Sequence, residues 1–204
     1  MSGEPEGRRE RRWREVHDRV YGAALELFLA QGFVATSYDE IAERADVARK
    51  TAFNHFPRKI DFIGEWGQRR RSQVESTLRP DLAEGADTSL LLRHYFEQLV
   101  KINAAERPLT RRMFGAWRES GGPFDADIGD LAEVITRMIA EGQRLGQMRR
   151  DVEPRRAAVL LYSGYFGTLF DWVAGTDAEP PFDLQDALTF LLDTVLPGLS
   201  TPGE

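Results

Sequence analysis

Five polar residues fall within one short stretch, and their side chains are of the kinds that contact nucleic acid: Arg49, Lys50, Thr51, Asn54 and His55. Arg and Lys donate to guanine, Asn pairs with adenine, and polar side chains bind phosphate oxygens. The stretch predicts a helix of about two turns that ends at Phe56, because Pro57 disfavours a helical predecessor. We expect the exposed face of this helix to present the five side chains to a DNA major groove.

A second short helix is predicted immediately before this one. Ser37 and Glu40 have the spacing of a capping box, in which the Ser hydroxyl and the Glu carboxylate each accept from the other residue's backbone N–H. Residues 46–48 then interrupt the helical pattern. The apolar residues of the segment form one wedge, consisting of Ile41, Ala45, Val47, Ala52 and Phe56. Two short helices that share a buried wedge across a tight turn predict a helix-turn-helix.

The same segment resembles a known family of proteins. The resemblance is carried by Gly32-Phe33, Thr36-Ser37, Ile41-Ala42, Ala45, Val47, Thr51, Phe53, Phe56 and Lys59, preceded by Ala23-Ala24 and Leu27-Phe28. These positions are similar to the N-terminal signature of the TetR-like (TetR/AcrR) family of bacterial transcriptional regulators and cover about a quarter of the chain. The resemblance implies a DNA-binding regulator with a separate domain for dimerisation and ligand binding.

The chain departs from the family signature at three positions. Asp46 stands where the family usually has Gly in the turn, and Ala48 stands where it usually has Ser. The loss of the Ser hydroxyl removes the usual cap of the second helix, at a cost of about 1 kcal/mol unless Asp46 substitutes for it. Phe53 replaces the usual Tyr, so one phenolic contact with phosphate is expected to be absent.

We expect the predicted DNA contacts to divide into two kinds. Arg49, Lys50 and Asn54 should contact base edges. The resemblance implies backbone contacts for Ser37, Thr51 and Lys59, and we expect His55 to contact phosphate as well. The complete predicted DNA-binding set is Ser37, Tyr38, Arg49, Lys50, Thr51, Phe53, Asn54, His55 and Lys59.

The net charge of −6 becomes consistent with DNA binding when the chain is divided. Residues 1–79 carry 15 Lys and Arg against 13 Asp and Glu, whereas residues 80–204 carry 12 against 20. The acidic C-terminal part is expected to aid solubility and to direct DNA towards the N-terminal part; ordinary surface variation is the alternative explanation. The sequence has no cysteine, no membrane-length apolar run and no secretory signal, so we expect a cytoplasmic protein without disulfides or membrane contacts.

Helical spacing continues to the C-terminus, which predicts an all-α fold of about nine helices. Three helices would form the N-terminal head and six the larger C-terminal domain. The predicted divisions are a disordered basic arm over residues 1–13, a helix-turn-helix domain over 14–58, and a ligand-binding and dimerisation domain over 59–204. The first helix is expected to begin near Trp13 and the last to end near Leu196. The arm either contacts DNA or is a solvated tail that begins the first helix.

Two C-terminal helices are candidates for a dimer interface. Glycines within a helix cost about 1 kcal/mol each, so Gly164 and Gly167 indicate the close approach of another helix. The last helix is strongly apolar. The resemblance implies a four-helix interface across a twofold axis, with an intramolecular core as the alternative. The predicted interface residues are Gly164, Gly167, Phe170, Leu188 and Leu192.

Bulky and polar residues on converging helices are candidates for a ligand cavity. They are Trp66, Phe96, Asn103, Met113, Phe114, Trp117, Met138, Tyr165 and Trp172. Aromatic and Met residues at helical spacing also build ordinary cores, so each of them has that alternative. The resemblance implies a small-molecule effector, which we expect to be apolar or aromatic and to release a repressor from a pseudo-palindromic operator. Repression or activation depends on where that operator lies.

Other classes of function have weaker support in the sequence. The three histidines are scattered, and none has a His or Cys partner at metal-ligand spacing. We therefore predict no catalytic residue, no metal site and no cofactor. The alternatives are an all-helical enzyme and a helix-turn-helix that mediates protein contacts only. Binding of a discrete site in the upstream DNA would distinguish a regulator from both.

Overall fold

The computed structural model describes residues 7–82, 86–120, 129–174 and 179–201, and nine α-helices follow one another within these ranges. They are α1 (Arg8–Gln31), α2 (Tyr38–Arg44), α3 (Arg49–His55), α4 (Asp61–Leu82), α5 (Thr88–Ala105), α6 (Arg107–Glu119), α7 (Gly129–Arg144), α8 (Pro154–Val173) and α9 (Leu184–Leu199). The one β-type pairing in the described ranges is an isolated bridge between Met148 and Ser200. The predicted all-α fold with about nine helices is confirmed.

The chain divides into two compact units, Met1–Glu65 and Trp66–Glu204. The division falls within α4, a few residues after the boundary placed at 58 from the sequence. The first unit holds α1 to α3 and the beginning of α4. The second holds the remainder of α4 and the five helices that follow, so the predicted distribution of helices between a small head and a larger domain matches the two units.

Helix α1 begins five residues earlier than the sequence suggested, at Arg8 rather than near Trp13. Glu10 explains the early start, because its carboxylate accepts from the Gly7 backbone N–H at 3.3 Å while the Gly7 carbonyl accepts from Glu10 N at 2.9 Å. Arg and Glu are also good helix formers. The disordered arm predicted over 1–13 is therefore corrected for residues 8–13, which are helical, and residues 1–6 lie outside the described residues.

The core of the first unit is aromatic. Phe56, at the end of α3, stacks on Phe62 with ring centroids 4.0 Å apart, and Phe62 meets Phe28 of α1 edge-on at 5.7 Å. Ile41 and Ala52 are also fully buried, as the predicted wedge requires. Burial of large apolar side chains is worth about 1.5–3 kcal/mol each. The aromatic core therefore holds α1, α2 and α3 around the start of α4.

The second unit is built mainly from α5, α7, α8 and α9, with α6 packed on α5 and α8. Its buried side chains recur at helical spacing and include Leu92, Phe96, Leu131, Ile135, Leu161, Leu169 and Leu188. Polar contacts join α5 to the C-terminal end of the chain. Arg93 pairs with Asp193 at 2.6 Å, and the hydroxyls of Ser89 and Ser200 lie 2.9 Å apart.

Helix α9 continues through Pro197 to Leu199, whereas the sequence predicted an end near Leu196. Proline lacks the N–H of a regular helical bond, but the last carbonyls find other partners. Arg149 donates from its backbone N–H to the Leu199 carbonyl at 2.9 Å and from its guanidinium to the Gly198 carbonyl at 3.1 Å. A neighbouring segment therefore satisfies this helix end, which the local sequence could not reveal.

Candidate DNA-binding surface and ligand cavity

Helix α3 buries one side and exposes the other. Ala52 is fully buried, and Arg49, Lys50 and Asn54 are exposed as predicted. Thr51 is half-buried rather than exposed. The exposed set combines two cations and one amide, which are the donors and acceptors that read base edges in a major groove. Phe53 adds an exposed aromatic ring to the same surface.

Arg49 has only a weak local constraint. Its guanidinium lies 3.5 Å from a carboxylate oxygen of Asp39 in α2, and both side chains are 69% exposed. Exposed ion pairs contribute about 0–1 kcal/mol. The Arg49 side chain can therefore exchange this contact for a contact with DNA at little cost.

The turn before α3 is strained at the position where the family signature usually has Gly. Asp46 has φ 52, in the left-handed region that favours glycine. Ala48 precedes the first residue of α3 and makes no side-chain cap. Asp46 thus provides the turn conformation of a glycine and no replacement for the missing hydroxyl cap.

Ser37 and Glu40 form the predicted capping box at the start of α2. Ser37 N donates to Glu40 Oε2 at 2.7 Å, and Glu40 N donates to Ser37 Oγ at 3.3 Å. Gln31 of α1 also donates to the Glu40 carboxylate, at 3.0 Å. Hydrogen bonds from Gln31 and then Ser37 lower the pKa of Glu40 from 4.5 to about 2. Ser37 is exposed, and its hydroxyl already has partners within the head.

Tyr38 connects α2 to the end of α3 instead of presenting a free hydroxyl. The phenol donates to the Phe56 carbonyl at 2.6 Å, and its ring packs edge-on against Phe53. Burial, with a smaller effect from the Asp61 carboxylate, raises the pKa of Tyr38 to about 12. The structure therefore supports a positioning role for Tyr38 beside α3.

Lys59 is held by the loop that precedes α2. Its ammonium donates to the Thr36 carbonyl at 2.7 Å and to the Val34 carbonyl at 3.3 Å, and lies 4.7 Å from the centre of the Phe33 ring. Burial lowers the pKa of Lys59. An ammonium has three donors, so two loop contacts leave one for a phosphate oxygen.

His55 packs against α1. Its ring lies 4.8 Å from the ring of Trp13 and 5.5 Å from that of His17. Burial, followed by the proximity of His17, lowers the pKa of His55, which favours the neutral imidazole at neutral pH. A neutral ring is a poorer phosphate ligand than an imidazolium, which weakens the phosphate contact expected for His55 from the sequence. Trp13 is exposed beside His55. The sequence did not indicate this contact, because the two residues lie far apart in the chain.

A small cavity lies within the second unit. Four of the residues predicted to bind ligand line it, namely Trp66, Asn103, Phe114 and Tyr165. Six further lining residues were not predicted, namely Gly67, Arg70, Arg71, Leu99, Leu131 and Phe166. Arginines usually lie on solvated helix faces, so the sequence did not single out Arg70 and Arg71 for the cavity. The signal that places them in the cavity is a spacing of four residues, because Arg70 follows Trp66 and Arg71 follows Gly67 by one turn of α4.

Buried hydrogen bonds fix one wall of the cavity. The Asn103 amide donates to the Leu99 carbonyl at 2.7 Å and to the Tyr165 hydroxyl oxygen at 2.9 Å. Thr110 donates to the Asn103 carbonyl at 3.0 Å. Burial raises the pKa of Tyr165, so this phenol stays protonated. These bonds hold polar groups of α5 and α8 in place at the cavity wall.

The other residues predicted to bind ligand do not line the cavity. Phe96, Met113 and Met138 are buried in the core. Trp117 is half-buried and packs on Phe166 and Phe170, with ring centroids 5.1 and 5.8 Å away. Trp172 is buried, and the centre of its ring lies 5.1 Å from the guanidinium carbon of Arg107. These five residues correspond to the alternative of ordinary core packing, because helical spacing alone does not separate core from cavity.

The predicted interface residues also divide. Leu188 and Leu192 are buried within the chain, and a Cβ built on Gly164 would lie 2.7 Å from Leu191 Cδ1. Gly164 therefore permits close packing of α8 on α9 in the same chain, and all three residues are removed from the interface set. A Cβ on Gly167 would meet nothing within 4 Å. Phe170 is half-buried and packs on Phe114 at 5.2 Å.

The described part of the chain contains neither a metal-binding cluster nor a membrane-spanning helix. No group of three or more His, Asp or Glu side chains there is arranged to hold a metal ion. None of the helices within those ranges has both the length and the apolar character needed to cross a membrane.

Comparison with known proteins identifies the head. The family described as "Bacterial regulatory proteins, tetR family" matches residues 20–65. The regulator TcmR of Streptomyces glaucescens is 45% identical over 53 residues, which are 26% of this chain and 24% of TcmR. The repressor DhaR of Mycobacterium sp. (strain GP1) is 23% identical over 198 residues, covering 89% of this chain and 93% of DhaR.

A solved structure extends the similarity to both units. The TetR-family repressor FadR of Thermus thermophilus, crystallised with lauroyl-CoA, superposes with a TM-score of 0.74 and 28% identity, over 92% of this chain and 97% of FadR. The head match and this full-length similarity agree with the exposed polar face of α3. The head therefore carries the tetR-family signature over residues 20–65, and the chain is a TetR-like DNA-binding transcriptional regulator.

Proposed function

We propose that this regulator is a ligand-released repressor, which binds a pseudo-palindromic operator as a homodimer in the cytoplasm. The observation that carries the proposal is the polar face of α3, where Arg49, Lys50 and Asn54 are exposed while Ala52 is buried. DhaR is named as a repressor, and FadR is a repressor with an acyl-CoA bound. These relatives support repression and control by a small molecule.

The contacts proposed for DNA follow the exposure of each side chain. Arg49, Lys50 and Asn54 would read base edges. Ser37, Thr51 and Lys59 would hold phosphates, because such contacts position a recognition helix without reading sequence. Tyr38 and His55 would act by positioning α3, since both are packed against neighbouring elements.

An apolar surface on α8 and α9 supports a homodimer. Leu160 is 55% exposed and Phe190 is 75% exposed, and Gly167 leaves open space on α8. Large exposed apolar side chains mark interaction surfaces when they cluster. A twofold axis would also pair two recognition helices and double the number of bases read. We therefore assign the interface to the exposed faces of α8 and α9.

The cavity lined by residues of α4 to α8 supports ligand control. Helix α4 belongs to both units along the chain, since it begins at Asp61 in the head and continues past Trp66. A ligand can lower operator affinity only through a different affinity for the DNA-bound and released states, and such coupling is typically about 1–3 kcal/mol. Rearrangement of the α4 residues at the cavity wall would provide that difference.

The test combines DNA binding with a ligand screen. The full chain is titrated by fluorescence anisotropy against a duplex from the DNA upstream of its own coding sequence, with a shuffled duplex of equal length as control. Compounds that raise the melting temperature are then added to the operator complex. Specific binding that weakens with a ligand supports the proposal. Equal binding of both duplexes would contradict the operator, and ligands that bind without changing operator affinity would contradict ligand release.

A further inference from the structure

The polar groups at the cavity wall are predominantly hydrogen-bond donors. Arg70 and Arg71 provide two guanidiniums, Trp66 an indole N–H and Tyr165 a phenol. None of the described residues that line the cavity is acidic. Because guanidinium donors pair best with carboxylate or phosphate oxygens, this composition indicates an anionic ligand and differs from the apolar ligand expected from the sequence.

Arg70 is held in a fixed position at the wall. Its side chain is 10% exposed, its guanidinium carbon lies 3.9 Å from the centre of the Trp66 ring, and it pairs with the carboxylate of Glu106. The Glu106 side chain is more than half exposed. Stacking on an aromatic ring fixes the plane of a guanidinium. A cation that is buried, oriented and paired with a solvated carboxylate can bind a second anion or exchange partners.

Two uncharged donors strengthen the same preference. Trp66 is 4% exposed, and its indole N–H has no hydrogen-bond partner among the described residues. Asn103 donates to the Tyr165 oxygen at 2.9 Å, which leaves the hydroxyl hydrogen of Tyr165 for an acceptor. Leaving a buried donor unpaired costs about 1–3 kcal/mol. A ligand group with several hydrogen-bond acceptors would therefore bind favourably, because it would pair with these two donors.

Apolar side chains complete the cavity. Phe114, Leu131 and Phe166 line it together with the donors. The cavity has a volume of about 40 Å³, which is enough for about three water molecules. Drug-sized ligands occupy pockets of roughly 300–1,000 Å³. A larger ligand that is enclosed among these side chains would displace part of the wall, and it would then have different affinities for the two arrangements of the cavity.

We propose that the effector carries a carboxylate or phosphate on an apolar body, with the anionic group held by Arg70 and Arg71 and the apolar body placed among Phe114, Leu131 and Phe166. This inference rests on the proposed function, because it names the ligand class of the same cavity. Trp66 and Tyr165 donate to the remaining oxygens. Glu106 competes with the ligand for Arg70.

The test compares charged probes with neutral probes of the same shape. Benzoate and octanoate are titrated calorimetrically into the full-length protein beside benzamide and octanamide, and octyl phosphate distinguishes phosphate from carboxylate. We expect the anions to bind at least about tenfold more tightly than the amides. Arg71→Gln should remove most of this preference, whereas Arg118→Gln, a matched change at an exposed position of α6 outside the cavity wall, should not.

Two further variants guard against loss of the fold. Arg70→Lys retains the charge if Arg70→Gln proves unstable, and should weaken anion binding because an ammonium does not offer the planar fork. Glu106→Gln removes the competing carboxylate and should tighten anion binding. Amides that bind as tightly as the anions, Arg71→Gln binding the anions like the parent, or no anion binding at all would each overturn the inference.

Operator titration separates this inference from the proposed function. Anion binding that depends on Arg71 but leaves operator affinity unchanged would support the anionic ligand class and contradict ligand release. Release of the operator by the amides and the anions at equal concentrations would support ligand release and overturn the anionic class.

Discussion

The two units use exposed and buried side chains in opposite ways. In the head, the groups proposed to bind DNA are polar and lie on the surface of a short helix, as Arg49 shows with a side chain that is 69% exposed. In the C-terminal unit, Arg70, Trp66 and Tyr165, which are proposed to bind ligand, are buried and Arg71 is half-buried, whereas apolar residues such as Phe190 are exposed. DNA is contacted at the protein surface, whereas a small ligand is bound within a cavity. Polar side chains that bind are therefore exposed in the head and largely buried in the C-terminal unit.

This comparison also explains what an arginine does in each unit. Arg49 has a weak, solvated partner and is ready to contact a phosphate or a base. Arg70 stacks on Trp66 and pairs with Glu106, so its charge is already compensated and oriented. A change at Arg49 should alter binding without altering the fold, whereas a change at Arg70 should affect both. Changes at exposed positions should therefore act on assembly and recognition and leave folding unchanged.

The largest expected effect is on assembly. Leu160→Asp combined with Phe190→Asp places two charges on the exposed apolar faces of α8 and α9. We expect the homodimer to weaken by about 3 kcal/mol or more, since buried aromatic anchors dominate interfaces and an unpaired buried charge is costly. Sedimentation velocity at micromolar concentration measures this. The parent should sediment as a dimer and the variant as a 23.1 kDa species.

Gly167→Leu provides an independent test of the same surface. It adds a side chain where the chain itself leaves open space, so the variant should fold and dimerise less well. The control is Leu90→Asp, which changes an exposed apolar residue of α5, outside the two helices assigned to the interface. A parent protein that is monomeric at micromolar concentration would contradict the homodimer, and dissociation by the control alone would move the interface.

The next effect is on recognition. Lys50→Ala should cost about 1–3 kcal/mol on the best operator and change the preferred base at one position of each half-site. Lys59→Ala should weaken all sequences alike and reduce the salt dependence of binding. It should also destabilise the head, because Lys59 holds the carbonyls of Thr36 and Val34. Anisotropy titrations on a set of single-base operator variants measure both. Uniform weakening by Lys50→Ala would show that Lys50 contacts the DNA backbone.

Features of each unit were predictable from the sequence where the residues that form them lie close together in the chain. The capping box of Ser37 and Glu40 and the buried wedge at Ile41 and Ala52 lie within a few residues of their partners, and the structure has them as predicted. The Lys59 contacts with the loop depend on residues more than 20 positions away, and no local pattern indicates them.

The cavity was harder to predict because several helices build it. Trp66 and Asn103 were identified from their size and polarity, but Arg70 and Arg71 were not, because charged residues usually lie in solvent. Phe96 and Met138 have the same spacing as cavity residues and are core. Leu188 and Leu192 show the same limitation, since the apolar stripe of α9 does not say whether its partner belongs to the same chain or to a second copy.

A smaller effect is expected in the turn of the head. Asp46 adopts a left-handed conformation that costs a non-glycine residue roughly 1 kcal/mol. Asp46→Gly should therefore raise the free energy of unfolding by up to about 1 kcal/mol, partly offset by the greater entropy of the unfolded chain. Urea denaturation measures it, with Asp46→Ala as the matched control that retains the strain. Destabilisation by Asp46→Gly equal to that of the control would show that the carboxylate itself stabilises the turn.

The smallest effect concerns acid stability at the start of α2. Glu40 is a carboxylate whose pKa is lowered from 4.5 to about 2 by hydrogen bonds from Gln31 and Ser37. A lowered pKa in the folded state means that the unfolded chain binds the proton more readily. The stabilisation is therefore complete above pH 4.5 and is lost as the pH falls towards 2. Glu40→Gln should melt at a lower temperature than the parent at neutral pH, and this difference should shrink as the pH falls through that window.

Glu43→Gln serves as the control for that measurement, because Glu43 lies on the same helix and is exposed. Its melting temperature should follow that of the parent more closely at every pH in the series. If the difference in melting temperature between the parent and Glu40→Gln stays constant from neutral pH to about pH 2, the charge of the carboxylate does not stabilise the capping box. The hydrogen-bonding shape of the side chain, which Gln partly preserves, would then explain the stability of α2.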